Sequence, residues 1–189
     1  PYILSEKINF VPGPLQINLK KTKITLNKHL IKFINEKKYK IGLSWRGNPN
    51  HLRDKIRSIP VEYFGKIFEK FKNFNFFVIQ KNLHSDEINF LSNFQNVINC
   101  DDYLDDFSET AMLVSKMNQI ISVDTVLAHI SGSLGTPTNL LLPKIPDWRW
   151  GLRGTRTHWY PSIVILRQNS IDCWDNVLKK LSSNLSKIV

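Results

Sequence analysis

An acid, a hydroxyl and an imidazole, Asp124, Thr125 and His129, stand within six residues of the stretch ISVDTVLAHISGSLGTP, Ile121 to Pro137. The residues before them are apolar enough for a buried strand, and those after them small enough for a slim helix. A helix starting at Thr125 leaves its first N–H groups without intrahelical partners, at the positive end of its dipole. That is an anion site, and the Thr125 hydroxyl adds a donor. Asp124 would repel an anion, so it reads as a helix N-cap or as an acceptor from sugar hydroxyls beside a phosphate. His129 lies on the same helical face as Thr125, one turn deeper, where it can donate to a phosphate or ribose oxygen. Ala128, Ser131, Gly132, Ser133 and Gly135 let backbone or ligand approach closely. Taken singly, these residue types cap and pack; grouped at the carboxyl end of a strand they point to a ligand.

A second set lies in SWRGNPNHLRDKIRSIP. Gly47 and Asn48 permit a tight turn with free backbone donors, and Arg46, Arg53, Lys55 and Arg57 supply cations. Arginine forks match phosphate oxygens in two-point geometry, although a basic loop is also an ordinary solvated surface. In QKN, Gln80 is placed to read a base edge and Lys81 to meet a phosphate. The carboxylates of CDDYLDDFSET suit magnesium less well than they suit helix capping, by Asp106 or Ser108, and no metal is expected. In PDWRWGLRGTRTHWYP, Trp148, Trp150, Trp159 and Tyr160 alternate with Arg149, Arg153, Arg156 and His158. Such aromatics either stack on bases and sugars or pin a long loop to the fold, and both uses stay open. No Walker loop, dinucleotide glycine triplet, Ser-His-Asp order or paired zinc ligands is present.

These groups need a frame. A helical pattern starts at Asn27, with Leu30, Ile31, Phe33 and Ile34 on one side. Strands are expected at Tyr39–Trp45, Asn75–Gln80, NVINC, Gln119–Val123, PTNLLLP and SIVILR. Between them lie helices over VEYFGKIFEKFKNF after Pro60, over SDEINFLSNF capped by Ser85, over DFSETAMLVSKM and after Thr125, with a last helix from about Cys173. Apolar strands alternating with helices specify an α/β fold, a Rossmann-like parallel sheet with helices on both faces. Ligands of such folds bind at the carboxyl ends of the strands, near the reversal of strand order. The loops after Trp45, Gln80, Cys100, Val123 and Pro143 should therefore share one rim.

At 189 residues, 42% apolar and 11% aromatic, the chain is long enough for one well-buried domain and is not of disordered composition. Residues 1–26, with Pro12, Gly13 and Pro14, read as a linker or arm, and 27–189 as the domain. The net charge of +10 favours anionic partners, although the many lysines near the amino terminus account for most of it as solvated surface. Two cysteines in no metal spacing fit a reducing compartment. With no membrane-length apolar run and no leader, a cytoplasmic location is expected, with the inner membrane face as a peripheral site.

Together, IGLSWRGNPNHLRDKIRSIP, FVIQKN, DFSETAMLVSKMNQIISVDTVLAHISGSLGTP and LLLPKIPDWRW…WYP resemble the carboxyl-terminal lobe of heptosyltransferase-like glycosyltransferases. The version that they resemble most is that of bacterial tetratricopeptide-repeat glycosyltransferases, and the likeness runs from about Tyr39 to Gln168. The resemblance implies one lobe of a GT-B fold, which holds a nucleotide-diphosphate sugar and transfers the sugar with neither metal nor cofactor. By position, Asp124, Thr125 and His129 match the donor-binding motif, and Arg57 matches a basic residue that neutralises the leaving diphosphate. Arg57 and His129 are thus the expected catalytic pair, with Gly47, Asn48, Gln80, Lys81, Asp124 and Thr125 around the substrate. Val126 stands where the family usually has glycine, so the donor need not be a heptose. The acceptor-binding amino-terminal lobe has no counterpart here. It is an expected partner, with the nucleotide sugar and an acceptor that is a glycan, a lipid-linked sugar or a protein; no general base is assigned. The other readings are a non-catalytic nucleotide-sugar module, a sugar epimerase and a basic nucleic-acid-binding domain; nucleic acid is not an expected partner.

Overall fold

Six runs rich in branched and aromatic residues form one sheet in the computed structural model, which describes residues 28–188. They are β1 (Tyr39–Ser44), β2 (Phe74–Val78), β3 (Val97–Asn99), β4 (Gln119–Val123), β5 (Thr138–Leu142) and β6 (Ile163–Arg167). Every neighbouring pair is parallel, in the order β3-β2-β1-β4-β5-β6. The expected arm over 1–26 lies outside the described residues.

Successive strand residues point to opposite faces, and here both faces are buried. Phe76 and Ile121 pack with α3 (Gly65–Lys70), α4 (Ser85–Leu91) and α7 (Asp175–Leu185). Their neighbours Phe77 and Ile120 pack on the other side with α1 (Lys28–Asn35), α5 (Phe107–Ser115) and α6 (Val126–Ser133). This is the expected Rossmann-like layering. The chain winds outward through β2 and β3, then returns to lay β4 beside β1, so the strand order reverses between these two.

Three local expectations are corrected. The helix expected over Val61–Phe74 is one 3₁₀ turn, Val61–Phe64, followed by α3, and Phe74 opens β2 opposite Tyr39. Phe71 and Phe74 fit a helical stripe, but they also stack across a turn at 5.3 Å, and pairing with β1 decides between the two. In the stretch after β1, read from the sequence as a basic loop, a single helical turn, α2 (Asp54–Arg57), is present. The cap of α4 is His84 rather than Ser85, and its N–H donates to Glu87 Oε2 at 2.8 Å. Asp106 caps α5 as expected, accepting from the Glu109 N–H at 2.8 Å.

Glu87 does more than cap. Its Oε1 accepts from Trp45 Nε1 at 2.7 Å and from Arg46 Nε at 2.8 Å, while Oε2 takes Arg46 Nη2 at 2.8 Å. Burial pushes its carboxyl upward, and hydrogen bonds from Arg46, His84 and Trp45 more than offset that and hold it below the usual range. This largely buried bidentate pair fastens the start of α4 to the end of β1. Glu87→Ala strips the Trp45 indole of its acceptor and leaves the Arg46 guanidinium with the Asn82 carbonyl but no counter-charge, and should cost about 3 kcal/mol of stability in urea unfolding. A loss below about 0.5 kcal/mol would mean that the pair is solvated and contributes little.

Candidate functional site

Because β4 returns to the side of β1, the loops that follow these strands face each other across the point of reversal. A cleft of about 280 Å³ opens there. The loop after β1 contributes His51, Arg53 and Arg57, the β4–α6 turn contributes Asp124, Thr125, Val126 and His129, and the loop after β5 contributes Asp147 and Arg149.

Arg57 is held from two sides. Its Nε donates to Asp54 Oδ1 at 3.1 Å and its Nη1 to the carbonyl of Asp124 at 2.8 Å. The short helix α2 makes the first contact possible, since Asp54 and Arg57 lie three residues apart on one turn. Gly47 serves this arrangement by leaving space: a Cβ there would stand 2.2 Å from Arg57 Nη2 and 2.6 Å from Asp54 Oδ1. Arg53 ties the same loop to the next, donating to the carbonyls of Ile145 at 2.6 Å and Pro146 at 3.5 Å. Arg149 is paired with Asp147 at 2.6 Å.

At the end of β4, Thr125 rather than Asp124 is the N-cap of α6, with extended φ and ψ of −136° and 175°. Its hydroxyl lies 3.1 Å from that of Ser122 and makes no capping hydrogen bond to the helix. Asp124 is buried and its Oδ1 accepts from Trp150 Nε1 at 2.8 Å, which fixes the loop after β5 to the end of β4. The expectation that Asp124 caps the helix is therefore corrected, because a buried indole N–H needs an acceptor and this carboxylate supplies it.

His129 stacks on Trp150 with ring centroids 5.2 Å apart and planes inclined by 26°. Its Nδ1 lies 3.1 Å from the Tyr160 hydroxyl. Burial pushes its pKa below the ordinary 6.5, against an opposite pull from Asp124. The imidazole is thus neutral at pH 7 and is positioned as a hydrogen-bond donor or acceptor rather than as a cation.

Several expected site residues are used elsewhere. Gln80 is buried: its Oε1 accepts from the Ser44 hydroxyl at 2.9 Å and the Arg46 N–H at 3.2 Å, so it secures the end of β1. Lys81 turns toward β3, pairing with Asp105 at 2.7 Å and the Leu104 carbonyl at 2.9 Å. Asn48 is exposed and accepts from the N–H of Asn50, as a turn residue does. None of the three lines the cleft. Arg46 belongs to Glu87, as described above. Of the aromatic loop, Trp150 is buried and pins the segment, while Trp148 and Trp159 remain exposed. The cleft residues His51 and Asp147 were not singled out from the sequence, although both lie within stretches quoted above, SWRGNPNHLRDKIRSIP and PDWRW.

No family model and no curated protein matches the chain. Solved structures do match in fold. A glycosyl transferase family 9 protein from Veillonella parvula has a TM-score of 0.54 at 12% identity, over 85% of this chain and 42% of its own. For the E. coli heptosyltransferase WaaC with ADP the score is 0.55 at 17% identity, over 80% and 42% respectively. For E. coli ADP-heptose lipopolysaccharide heptosyltransferase II it is 0.57 at 11%, over 87% and 52%. At these identities the likeness establishes a shared Rossmann-like lobe, and the chain spans about half the length of each of these proteins.

The depressed pKa of His129 has a definite sign in stability. An unfolded chain protonates this imidazole first as pH falls, so the stability it contributes is fully present above about 6.5 and is lost below it, toward the lower folded value. In urea unfolding across that window, His129→Gln should show a shallower fall in stability on acidification than the native chain. Identical slopes would mean that the imidazole titrates freely in the folded state.

Proposed function

We propose that the cleft binds the diphosphate of a nucleotide sugar, and that the chain is the donor-binding lobe of a glycosyltransferase of the heptosyltransferase-like type. The observation that carries this reading is the Arg57 guanidinium fixed at the strand-order reversal, bonded to the β4–α6 turn in the same cleft that His129 lines. A guanidinium anchored through Nε and Nη1 loses little freedom when its remaining N–H groups meet phosphate oxygens. Displacement at the anomeric carbon breaks the bond from that carbon to the diphosphate oxygen, and negative charge builds on the departing diphosphate. A pre-placed cation stabilises that charge without moving, which is how such a site accelerates transfer. Arg57 then acts on the leaving group without a metal, the N–H groups at the start of α6 and the Thr125 hydroxyl bind its oxygens, and His129 supplies a neutral donor.

Arg53 adds positive charge at the cleft wall, where Arg149 is paired with Asp147, while Val126, half exposed in the first turn of α6, faces the same space and bears on which sugar fits. Support from kinship is of one kind: the structural neighbours include heptosyltransferases solved with ADP and with an ADP-heptose analogue. A closer tie to the tetratricopeptide-repeat glycosyltransferases is part of the proposal and rests on the motifs quoted above. So does a second lobe that binds the acceptor and provides the general base, consistent with the chain spanning 42% to 52% of those neighbours.

Calorimetric titration with ADP, UDP, GDP and CDP at two salt concentrations tests the reading. One base should be preferred, and Arg57→Ala and His129→Ala should each weaken binding by about 1.5–3 kcal/mol, the range for hydrogen bonds to charged groups. Gly47→Ala should imitate Arg57→Ala in part, because the added methyl displaces the guanidinium. Binding that ignores the base, survives these substitutions and vanishes with salt would sink the reading and leave a basic surface.

A further inference from the structure

His129 is held by more than its place on α6. Trp150 lies against its ring, and that indole is itself fixed by the Asp124 carboxylate at 2.8 Å. Tyr160 meets its edge, with ring centroids 5.7 Å apart and planes inclined by 67°, and sets a hydroxyl 3.1 Å from Nδ1. The phenol reaches this position because Gly132, three residues after His129, has no side chain: a Cβ there would stand 2.4 Å from Tyr160 Cγ. His129 lines the cleft and Tyr160 does not, so the nitrogen left for a ligand is Nε2.

Which nitrogen bears the proton decides what the ligand meets. A phenol O–H is a good donor and a neutral imidazole nitrogen a good acceptor, so a hydroxyl donating to Nδ1 leaves the proton on Nε2. The opposite arrangement turns a lone pair toward the cleft, where it would repel a phosphate oxygen. The charged groups nearest the ring are Asp124, Arg149 and Asp147, and the two members of the Asp147–Arg149 pair largely cancel.

We propose that Tyr160 is a positioning residue which fixes His129 in the Nε2–H tautomer, so that the cleft offers an N–H donor to a diphosphate oxygen. The identity of the ligand rests on the functional reading above; the tautomer does not.

The test is nitrogen NMR of the labelled imidazoles in the full chain without ligand, followed by titration with inorganic pyrophosphate, which carries the diphosphate without committing to a base. The native chain should show His129 protonated at Nε2, with Nδ1 as a hydrogen-bonded acceptor. Tyr160→Phe should mix the tautomers and weaken pyrophosphate about 3- to 10-fold, the effect of one neutral hydrogen bond. Gly132→Ala, which pushes the phenol away, should do the same. A proton on Nδ1 in the native chain overturns the proposal and needs no variant to fold. A tautomer unchanged in Tyr160→Phe removes the role of Tyr160. The expected tautomer in a native chain that binds no pyrophosphate overturns the diphosphate reading of the cleft and leaves the tautomer assignment supported.

Discussion

The sheet has no polar face. Each of its central strands is buried on both sides, so α1, α5 and α6 cover one face and α3, α4 and α7 the other. Such strands keep charged side chains near their ends, as Lys40 is on β1, while the polar ones inside them, Asn75, Ser122 and Asn139, are uncharged and buried. Charged groups are therefore collected near the rims, and the reversal of strand order between β1 and β4 opens a gap in one of them. The cleft is thus a consequence of the layering.

A gap between loops needs bracing before it can hold a ligand in one geometry. Three contacts provide that bracing, and each joins two of the three loops. Arg57 crosses from the β1 loop to the Asp124 carbonyl, Trp150 crosses from the β5 loop to the Asp124 carboxylate, and Arg53 reaches the carbonyls of Ile145 and Pro146. Asp124 lies at the centre, using its backbone for one partner and its side chain for another. An acid in a cleft lined by arginines looks misplaced until these partners are seen. Its Oδ1 is directed to an indole and its carbonyl to a guanidinium, which sets a cation beside it in the cleft lining.

The same economy appears in two glycines. At Gly47 the missing side chain is replaced by the Arg57 guanidinium and the Asp54 carboxylate, and at Gly132 by the ring of Tyr160. In both places a functional group occupies the volume that a methyl would fill. The shared lobe of the structural neighbours shows that the frame tolerates wide sequence change, with identities of 11% to 17%. What a frame of this type does depends on which groups its loops present and how firmly they are braced.

The α/β layering, the strand positions and the importance of the β4–α6 turn were legible in the sequence, because apolar runs and helical periodicity are local signals that burial enforces. Asp124 and Thr125 were legible as candidates because they end a predictable strand, and His129 because it follows one turn into the helix; Arg57 was one of several cations in its loop, and the resemblance singled it out. The partners of those residues were not. Gln80 and Lys81 follow β2 as promisingly as Arg57 follows β1, yet Gln80 turns inward to Ser44 and Lys81 toward Asp105. Tyr160 and Trp150 reach His129 across 31 and 21 residues of chain, a relation that no spacing rule encodes. Sequence by itself determined which elements form and where polar groups must collect, through periodicity and the cost of burying them. Only the tertiary structure decided which of those groups face the cleft, because that choice depends on the nearest unpaired donor or acceptor brought up by another strand.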